Sequence, residues 1–231
     1  MNVNDIFADM IVPYCDGITL GKLVQVCRSQ NAAIVQSPIY QQFAKYYFPH
    51  SWFRDLCESG RIYIVQWMYY RGYVSRGEIR SGFTKACRAG HLETAQWLMK
   101  ASNGIILLDS ALLSQVCGDG HVDVVKWMCE YHSFSPREIV WAFASACMRG
   151  QLCVAQWLYE ANKHVLEDRP FPVDGPRPEV IFAMACESER LETAQWLYTL
   201  VYITDLHKNA AIDVATRNGH TEVVDWLNSK K

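Results

Sequence analysis

Apolar and polar residues alternate along this chain in repeated blocks, and a tryptophan marks each block. Six tryptophans recur at one constant interval, which is exceeded once: Trp67, Trp97, Trp127, Trp157, Trp196 and Trp226. Before and after each tryptophan, apolar residues such as Leu92, Ala95 and Leu98 recur at the three- and four-residue spacings of a buried helix face. A fixed period of about 30 residues is typical of repeats that bury their apolar faces against one another. The pattern predicts six helix pairs from about residue 51 onward.

Two further positions of the block are nearly constant. Cysteine stands ten residues before five of the tryptophans, with Thr216 in the sixth copy: Cys57, Cys87, Cys117, Cys147 and Cys186. Glycine stands seven residues before five of them, with Glu189 as the exception: Gly60, Gly90, Gly120, Gly150 and Gly219. Because glycine ends helices and tolerates positive φ, this position predicts the turn between the two helices of a pair. If the turn requires positive φ, Glu189 is strained there.

The phrase around the turn, A-C-R-A-G-H-L-E-T-A-Q-W-L over 86–98, resembles the second half of an ankyrin repeat, and His91, His121 and His220 fall on that family's histidine. The resemblance covers about residue 51 to the C terminus. The family's T-P-L-H opening is absent, and each copy is about three residues short in the part that forms the β-hairpin fingers. The resemblance implies an all-α, ankyrin-like solenoid of about six repeats with reduced fingers.

The one long interval, between Trp157 and Trp196, contains nine extra residues and a run of prolines. Four of the eight prolines lie at about 163–178: Pro170, Pro172, Pro176 and Pro178. Proline at this density interrupts helices and favours extended backbone. We therefore expect a projecting loop over 163–178, either a tolerated surface insertion or an arm that contributes to binding.

Residues 1–50 do not follow the repeat and predict a separate helical segment. An amphipathic stretch, D-I-F-A-D-M-I-V-P-Y over 5–14, begins at a capping aspartate and ends near Gly17. Further helical stretches are expected at about 19–28, 31–36 and 40–48. The sequence thus predicts two parts, a helical segment over 1–50 and the repeat array over 51–231.

The N-terminal segment resembles an F-box, a three-helix module that binds the Skp1 adaptor of cullin ubiquitin ligases. The likeness is carried by F-A-D-M-I over 7–11, L-x-x-L-V-x-V-C-R over 20–28 and S-P-x-Y over 37–40, although the usual Leu-Pro opening is absent. It implies that apolar residues of the first two helices face Skp1: Phe7, Met10, Ile11, Leu20, Leu23 and Val24. The combination of an F-box-like segment with ankyrin-like repeats that contain a recurrent A-Q-W-L resembles proteins of large DNA viruses. In the alternative interpretation the segment only caps the array.

Composition narrows the class of partner. With 22 basic and 24 acidic residues the net charge is -2, so no electrostatic excess drives binding to nucleic acid or to an anionic membrane. No stretch approaches the roughly 20 apolar residues that span a bilayer, and the N terminus lacks the basic flank of a signal peptide. We therefore expect an intracellular protein, cytoplasmic or nuclear, whose partners are other proteins.

The cysteines and histidines do not form a recognisable metal or catalytic motif. A zinc site needs four convergent ligands, and the chain has no C-x-x-C and no H-E-x-x-H. The cysteine of each block stands where the ankyrin family has a small packed residue, and the histidine is expected to hydrogen-bond backbone between adjacent turns. We expect no catalytic residue, no metal and no cofactor.

The surface of the array is the remaining candidate for function. The two residues that precede each turn vary among the six copies, while the rest of the turn stays constant. By resemblance to ankyrin arrays, these positions face the concave groove where partners bind: Glu58, Arg88, Asp119, Met148, Arg149, Glu187 and Arg217. The sequence therefore favours a substrate adaptor that holds a target on the array and recruits a ubiquitin ligase through residues 1–50. The alternative is a scaffold or decoy, and an enzyme is the least supported class because no catalytic constellation is present.

Overall fold

The computed structural model describes residues 50–70, 72–104, 106–166 and 175–230. Over these residues the chain forms thirteen helices joined by turns, and no strand, which confirms the predicted all-α class. The F-box-like segment lies outside the described residues, so its six apolar candidates and the boundary after residue 50 stay predictions.

The described helices fall into two compact units that divide after Leu107. Four helices are described in the first unit: α1 (His50–Glu58), α2 (Ile62–Tyr70), α3 (Arg76–Arg88) and α4 (Leu92–Ala101). The second unit contains nine: α5 (Ser110–Asp119), α6 (Val122–Tyr131), α7 (Pro136–Met148), α8 (Leu152–Ala161), α9 (Lys163–Leu166), α10 (Pro178–Glu187), α11 (Leu191–Leu200), α12 (Asp205–Asn218) and α13 (Thr221–Ser229). The block pattern gives no sign of this division.

Local sequence explains where the first helix of a pair begins. Ser75 and Glu78 form a capping box at α3, and Ser135 and Glu138 form the same arrangement at α7. In both, the serine hydroxyl accepts from the glutamate N–H while the glutamate carboxylate accepts from the serine N–H. Asp109 caps α5 by accepting a 2.8 Å hydrogen bond from the Leu112 N–H. Each of these caps satisfies one of the free N–H groups in the first turn of its helix.

Within each unit the first helices of successive pairs pack side by side, and each contacts its own second helix. In the first unit α1 packs on α3, and in the second unit α7 packs on both α5 and α10, while α10 packs on α12. The block cysteines lie at the centre of this packing, since all five are 0% exposed. Phe83 and Phe182, which stand four positions before the cysteine of their block, are also buried. The constant frame of the blocks is therefore the core of each pair.

The tryptophans occupy equivalent positions on the second helices of their blocks, and we call this set of residues the Trp row. Trp97, Trp127, Trp157, Trp196 and Trp226 are all half-buried, as predicted for the five whose side chains are described. Trp97 packs edge-on against Tyr69, Trp196 against Tyr159, and Trp226 against Tyr198, at centroid distances of 5.3, 5.8 and 5.6 Å. In each case the tyrosine stands two residues after the tryptophan of the preceding block. Edge-to-face pairs of this kind join neighbouring pairs of helices.

The turns between the helices of a pair share one backbone conformation, and we call their central positions the turn row. The five glycines of the turn row have φ between 68° and 93°, and Glu189 has φ 59°. At Glu189 the N–H donates to the Cys186 carbonyl (3.4 Å) and the next N–H, of Arg190, donates to the Ala185 carbonyl (3.0 Å). These two bonds define a Schellman motif, which places its left-handed residue at this position. The turn therefore has positive φ in the block of Glu189 as well, which is the condition under which the sequence indicates strain at this residue.

The predicted loop over 163–178 is too long at both ends. Lys163–Leu166 forms the short helix α9, which packs on α7 and α8 and buries Leu166. Pro178 is the first residue of α10 and not part of the loop, because proline at the first helical position loses no hydrogen bond and has the required φ. Residues 167–174, with Pro170 and Pro172, lie outside the described part of the chain.

Candidate protein-binding surface

The array candidates lie at the ends of the first helices, immediately before the turns. Five of the seven have exposed side chains: Glu58, Arg88, Arg149, Glu187 and Arg217. Asp119 and Met148 are half-buried. A helix that ends in a Schellman turn leaves its last exposed residues beside the turn, so the repeated motif itself positions them.

Several of these residues are engaged with the neighbouring copy. The Lys85 ammonium lies 2.9 Å from the Glu58 carboxylate, and Arg149 Nη1 lies 3.3 Å from Asp119 Oδ1. Both pairs are partly or largely exposed, so each contributes little to stability. They set the local charge pattern nevertheless, because a partner that binds there must accommodate or replace them.

Hydrogen bonds from one copy to the next fix the register of the first helices in the second unit. Ser145 Oγ donates to the Ser114 carbonyl at 2.7 Å, and Asn218 Nδ2 donates to the Glu187 carbonyl at 3.2 Å. In each bond the two residues occupy almost the same position of their blocks. Equivalent positions therefore lie side by side on α5 and α7, and on α10 and α12.

This register identifies surface residues that the sequence analysis missed. Trp141 on α7 and Val180 on α10 stand six positions before the cysteines of their blocks, and their side chains are 43% and 48% exposed. Ala111 on α5 and Ala210 on α12 occupy the same position and are also exposed. Four exposed apolar residues thus stand at equivalent positions of the first helices. In the first two blocks the same position is Ser51 and Ser81, so the sequence alone does not mark it as an exposed apolar position.

No protein-family model and no curated protein matches this chain. The site must therefore be assessed from its own residues.

The block cysteines have the properties of core residues and not of nucleophiles. Burial raises the pKa of the Cys57, Cys87 and Cys186 thiols to about 12. It also raises the pKa of Cys117 and Cys147. Because the thiolate is the reactive form, these groups are poorly suited to catalysis or metal binding near neutral pH. The structure supports the interpretation that cysteine fills a small packed position.

The histidine that follows the turn has a structural role where its contacts are described. His220 Nε2 lies 2.8 Å from the carbonyl oxygen of Glu187, in the preceding block. In the first unit the ring of His91 lies over Gly60, so that a Cβ placed on this glycine would meet it at 2.5 Å. The predicted hydrogen bond from histidine to backbone is confirmed for His220. At Gly60 the turn row is thus covered by the residue that follows the turn in the next copy.

The described residues were also compared with the requirements of a metal site and of a membrane-spanning helix. Among them, no group of three or more histidine, cysteine, aspartate and glutamate side chains is arranged to hold a metal ion. None of the described helices is both long and apolar enough to cross a membrane.

Proposed function

We propose that this chain is a non-catalytic adaptor whose ankyrin-like array binds a target protein and whose F-box-like segment recruits Skp1 of a cullin ubiquitin ligase. The observation that carries the first half is the contrast between core and surface in the copies. Buried positions repeat the same residue types, whereas the exposed positions before the turn change from Glu58 to Arg88 and from Glu187 to Arg217. Surface positions that vary over a constant frame provide a recognition surface without altering the fold.

The exposed apolar positions add to this argument. Trp141 lies on α7, which ends directly before Arg149, and Val180 lies on α10, whose last residue is Glu187. Both apolar side chains are exposed, so apolar and charged groups share the surface of the second unit. Tryptophan and arginine dominate the binding energy of protein interfaces because they combine a large contact area with directed polar contacts. We expect Trp141 to be the principal anchor for the target.

The second half of the proposal is supported by the sequence likeness at residues 7–11, 20–28 and 37–40. It is tested with purified Skp1 at micromolar concentration and the intact chain. We expect capture of Skp1 by the wild type, and loss of capture by Ile11→Asp and Leu20→Asp, while circular dichroism and the tryptophan emission of the array stay unchanged. Absence of capture by the folded wild type would reject the adaptor and favour the scaffold or decoy, in which residues 1–50 only cap the array.

The target surface is tested separately in cell lysate. Trp141→Ala and Arg149→Glu should each deplete the same set of captured proteins and leave Skp1 capture intact. Asp225→Arg, an exposed charge change on the second helix α13, is the matched control and should leave both intact. If the first-helix variants and the control retain the same proteins, the target is held elsewhere on the chain.

A further inference from the structure

A cleft of about 170 Å³ opens in the second unit where the regular period is broken. The helices around it belong to the two blocks that flank the insertion: α7 and α8 on one side, α10 and α11 on the other, with α9 between them in the chain. Ten described residues line the cleft: the aromatic Phe143, Tyr159 and Tyr202, the acidic Glu179, and five aliphatic residues with one proline, which include Leu166 and Leu197. The cleft is therefore a product of the irregular interval and not of the repeat itself.

The walls are held in place by core packing. Trp196 packs edge-on against both Phe143 and Tyr159, at centroid distances of 6.1 and 5.8 Å, and is itself a member of the Trp row. Phe143, Leu166 and Leu197 are buried. Tyr202, by contrast, is 83% exposed and provides a free aromatic ring at the rim. A preformed cavity with a loose aromatic rim can bind a ligand without reorganising the core.

The size of the cleft matches about one side chain. A volume of 170 Å³ equals the space of about six water molecules. Sites for cofactors and drug-sized ligands are larger, at roughly 300 Å³ or more. The cleft is thus suited to a single residue of a bound protein segment.

The charge of the lining residues indicates which type of side chain the cleft would bind. Glu179 is the one charged group among the described residues that line it, and no described lysine, arginine or histidine pairs with its carboxylate. Aromatic faces attract cations, and the ring of Tyr159 already has the Lys163 ammonium 5.7 Å from its centroid. That lysine is itself paired with Glu160 at 2.9 Å. An apolar and aromatic cleft with one carboxylate complements an aliphatic stem that ends in a cation.

We propose that this cleft binds a lysine or arginine side chain of the partner protein, with the aliphatic stem between the rings of Tyr159 and Tyr202 and the cation at Glu179. The inference rests on the proposed function in that the basic residue belongs to a bound protein. It adds a specificity: the target presents a basic residue at the break between the fourth and fifth blocks.

The test uses the intact chain and two probes that share a four-carbon aliphatic side chain: Nα-acetyl-lysine methylamide, which carries a terminal ammonium, and Nα-acetyl-norleucine methylamide, which does not. Binding is followed by the NMR signal of the Trp196 indole N–H, which is assigned with Trp196→Phe. We expect millimolar binding of the lysine probe, about threefold to tenfold tighter than that of the norleucine probe. Glu179→Gln should reduce the affinity for the lysine probe to that for the norleucine probe, and Tyr202→Ala should lower the affinity for both probes.

Each variant has a matched control in the same unit. Glu192→Gln removes a first-turn carboxylate from α11, as Glu179→Gln does from α10, but Glu192 does not line the cleft. Tyr131→Ala removes an exposed tyrosine that is likewise absent from the lining. Both controls should bind the lysine probe as the wild type does.

Equal or tighter binding of norleucine would overturn the proposal in favour of an apolar occupant, and no shift with either probe would reject the cleft as a side-chain site. These results are independent of Skp1 and target capture. A chain that binds the lysine probe but captures no protein would refute the proposed function alone, and a chain that captures proteins but ignores the probe would refute this inference alone.

Discussion

The Trp row and the turn row are both periodic, but they are constrained by different physical quantities. In the Trp row the tryptophan is constant, whereas the residue two positions after it is a tyrosine in three blocks (Tyr69, Tyr159 and Tyr198) and Met99 or Cys129 in two others. Each of the three tyrosines packs edge-on against the tryptophan of the next block. In the turn row the backbone conformation is constant while the residue changes once, to Glu189. Side-chain packing tolerates different neighbouring residues as long as they fill a similar volume. A turn that requires positive φ, by contrast, requires that backbone conformation whichever residue occupies it. We therefore expect the Trp row to be sensitive to loss of side-chain volume and the turn row to be sensitive to a change of backbone conformation.

The largest effect that we expect comes from removing volume in the Trp row. Trp127→Ala should lower the free energy of unfolding by about 3 kcal/mol, at the low end for a core aromatic because Trp127 is half-buried. The measurement is urea unfolding followed by circular dichroism. Trp141→Ala, which removes an exposed indole from α7, is the control and should cost much less. Equal losses for the two tryptophans would show that the Trp row has no special packing role.

A smaller loss is expected when a side chain is added in the turn row. Gly150→Ala places a Cβ at positive φ (75°) and 2.6 Å from Cδ of Arg190, so the strain of the left-handed backbone is combined with displacement of that side chain. We expect a loss of about 2 kcal/mol in the free energy of unfolding, measured by the same urea titration.

The matched variant isolates the backbone term. Gly219→Ala has nearly the same φ, 78°, but its Cβ would meet no atom within 4 Å, so it should cost only about 1 kcal/mol. If both glycine variants are equally stable, the covering side chain contributes nothing and conformation alone defines the turn row.

The third effect is a gain of stability at the exceptional turn. Glu189→Gly removes a side chain from left-handed backbone, and we expect the free energy of unfolding to rise by about 1 kcal/mol. The gain is partly offset by loss of the contact between Glu189 Oε2 and His220 Nδ1, which are 3.6 Å apart. Thermal unfolding of Glu189→Gly beside Glu189→Ala separates the two contributions, since alanine keeps the strain but loses the carboxylate. A lowered melting temperature for the glycine variant would mean that the carboxylate matters more than the strain.

The smallest effect is expected from the exposed ion pair beside the turn row. Removing the Arg149–Asp119 contact, in which the arginine side chain is 50% exposed, should change the free energy of unfolding by only a few tenths of a kcal/mol. A double-mutant cycle of Arg149→Ala and Asp119→Ala measures the coupling between them. A coupling above about 1 kcal/mol would move these residues from the recognition surface to the structural frame.

The sequence by itself determined the elements that depend on short-range chemistry. The positions of Cys57 and Gly60 relative to the tryptophan predicted a buried residue and a turn, because a Schellman motif closes within about six residues. The other copies served as an internal reference for Glu189 and indicated that it is strained if the turn requires positive φ. The half-burial of the Trp row followed from helical periodicity alone.

Features that depend on contacts between distant segments became visible only in the folded chain. The helix at Lys163–Leu166 stands in a stretch that prolines mark as irregular, and it forms because Leu166 finds a buried site beside α7 and α8. The exposure of Trp141 was equally hidden, because an apolar residue at helical spacing reads as core until the neighbouring helix is seen to leave it uncovered. The cleft around Glu179 is assembled from five helices and the turn after α11, which are distant in the chain, so no spacing in the sequence could predict it. Local motifs depend on residues that are close together in the sequence, whereas burial and cavities depend on the packing of whole helices that are distant in the sequence.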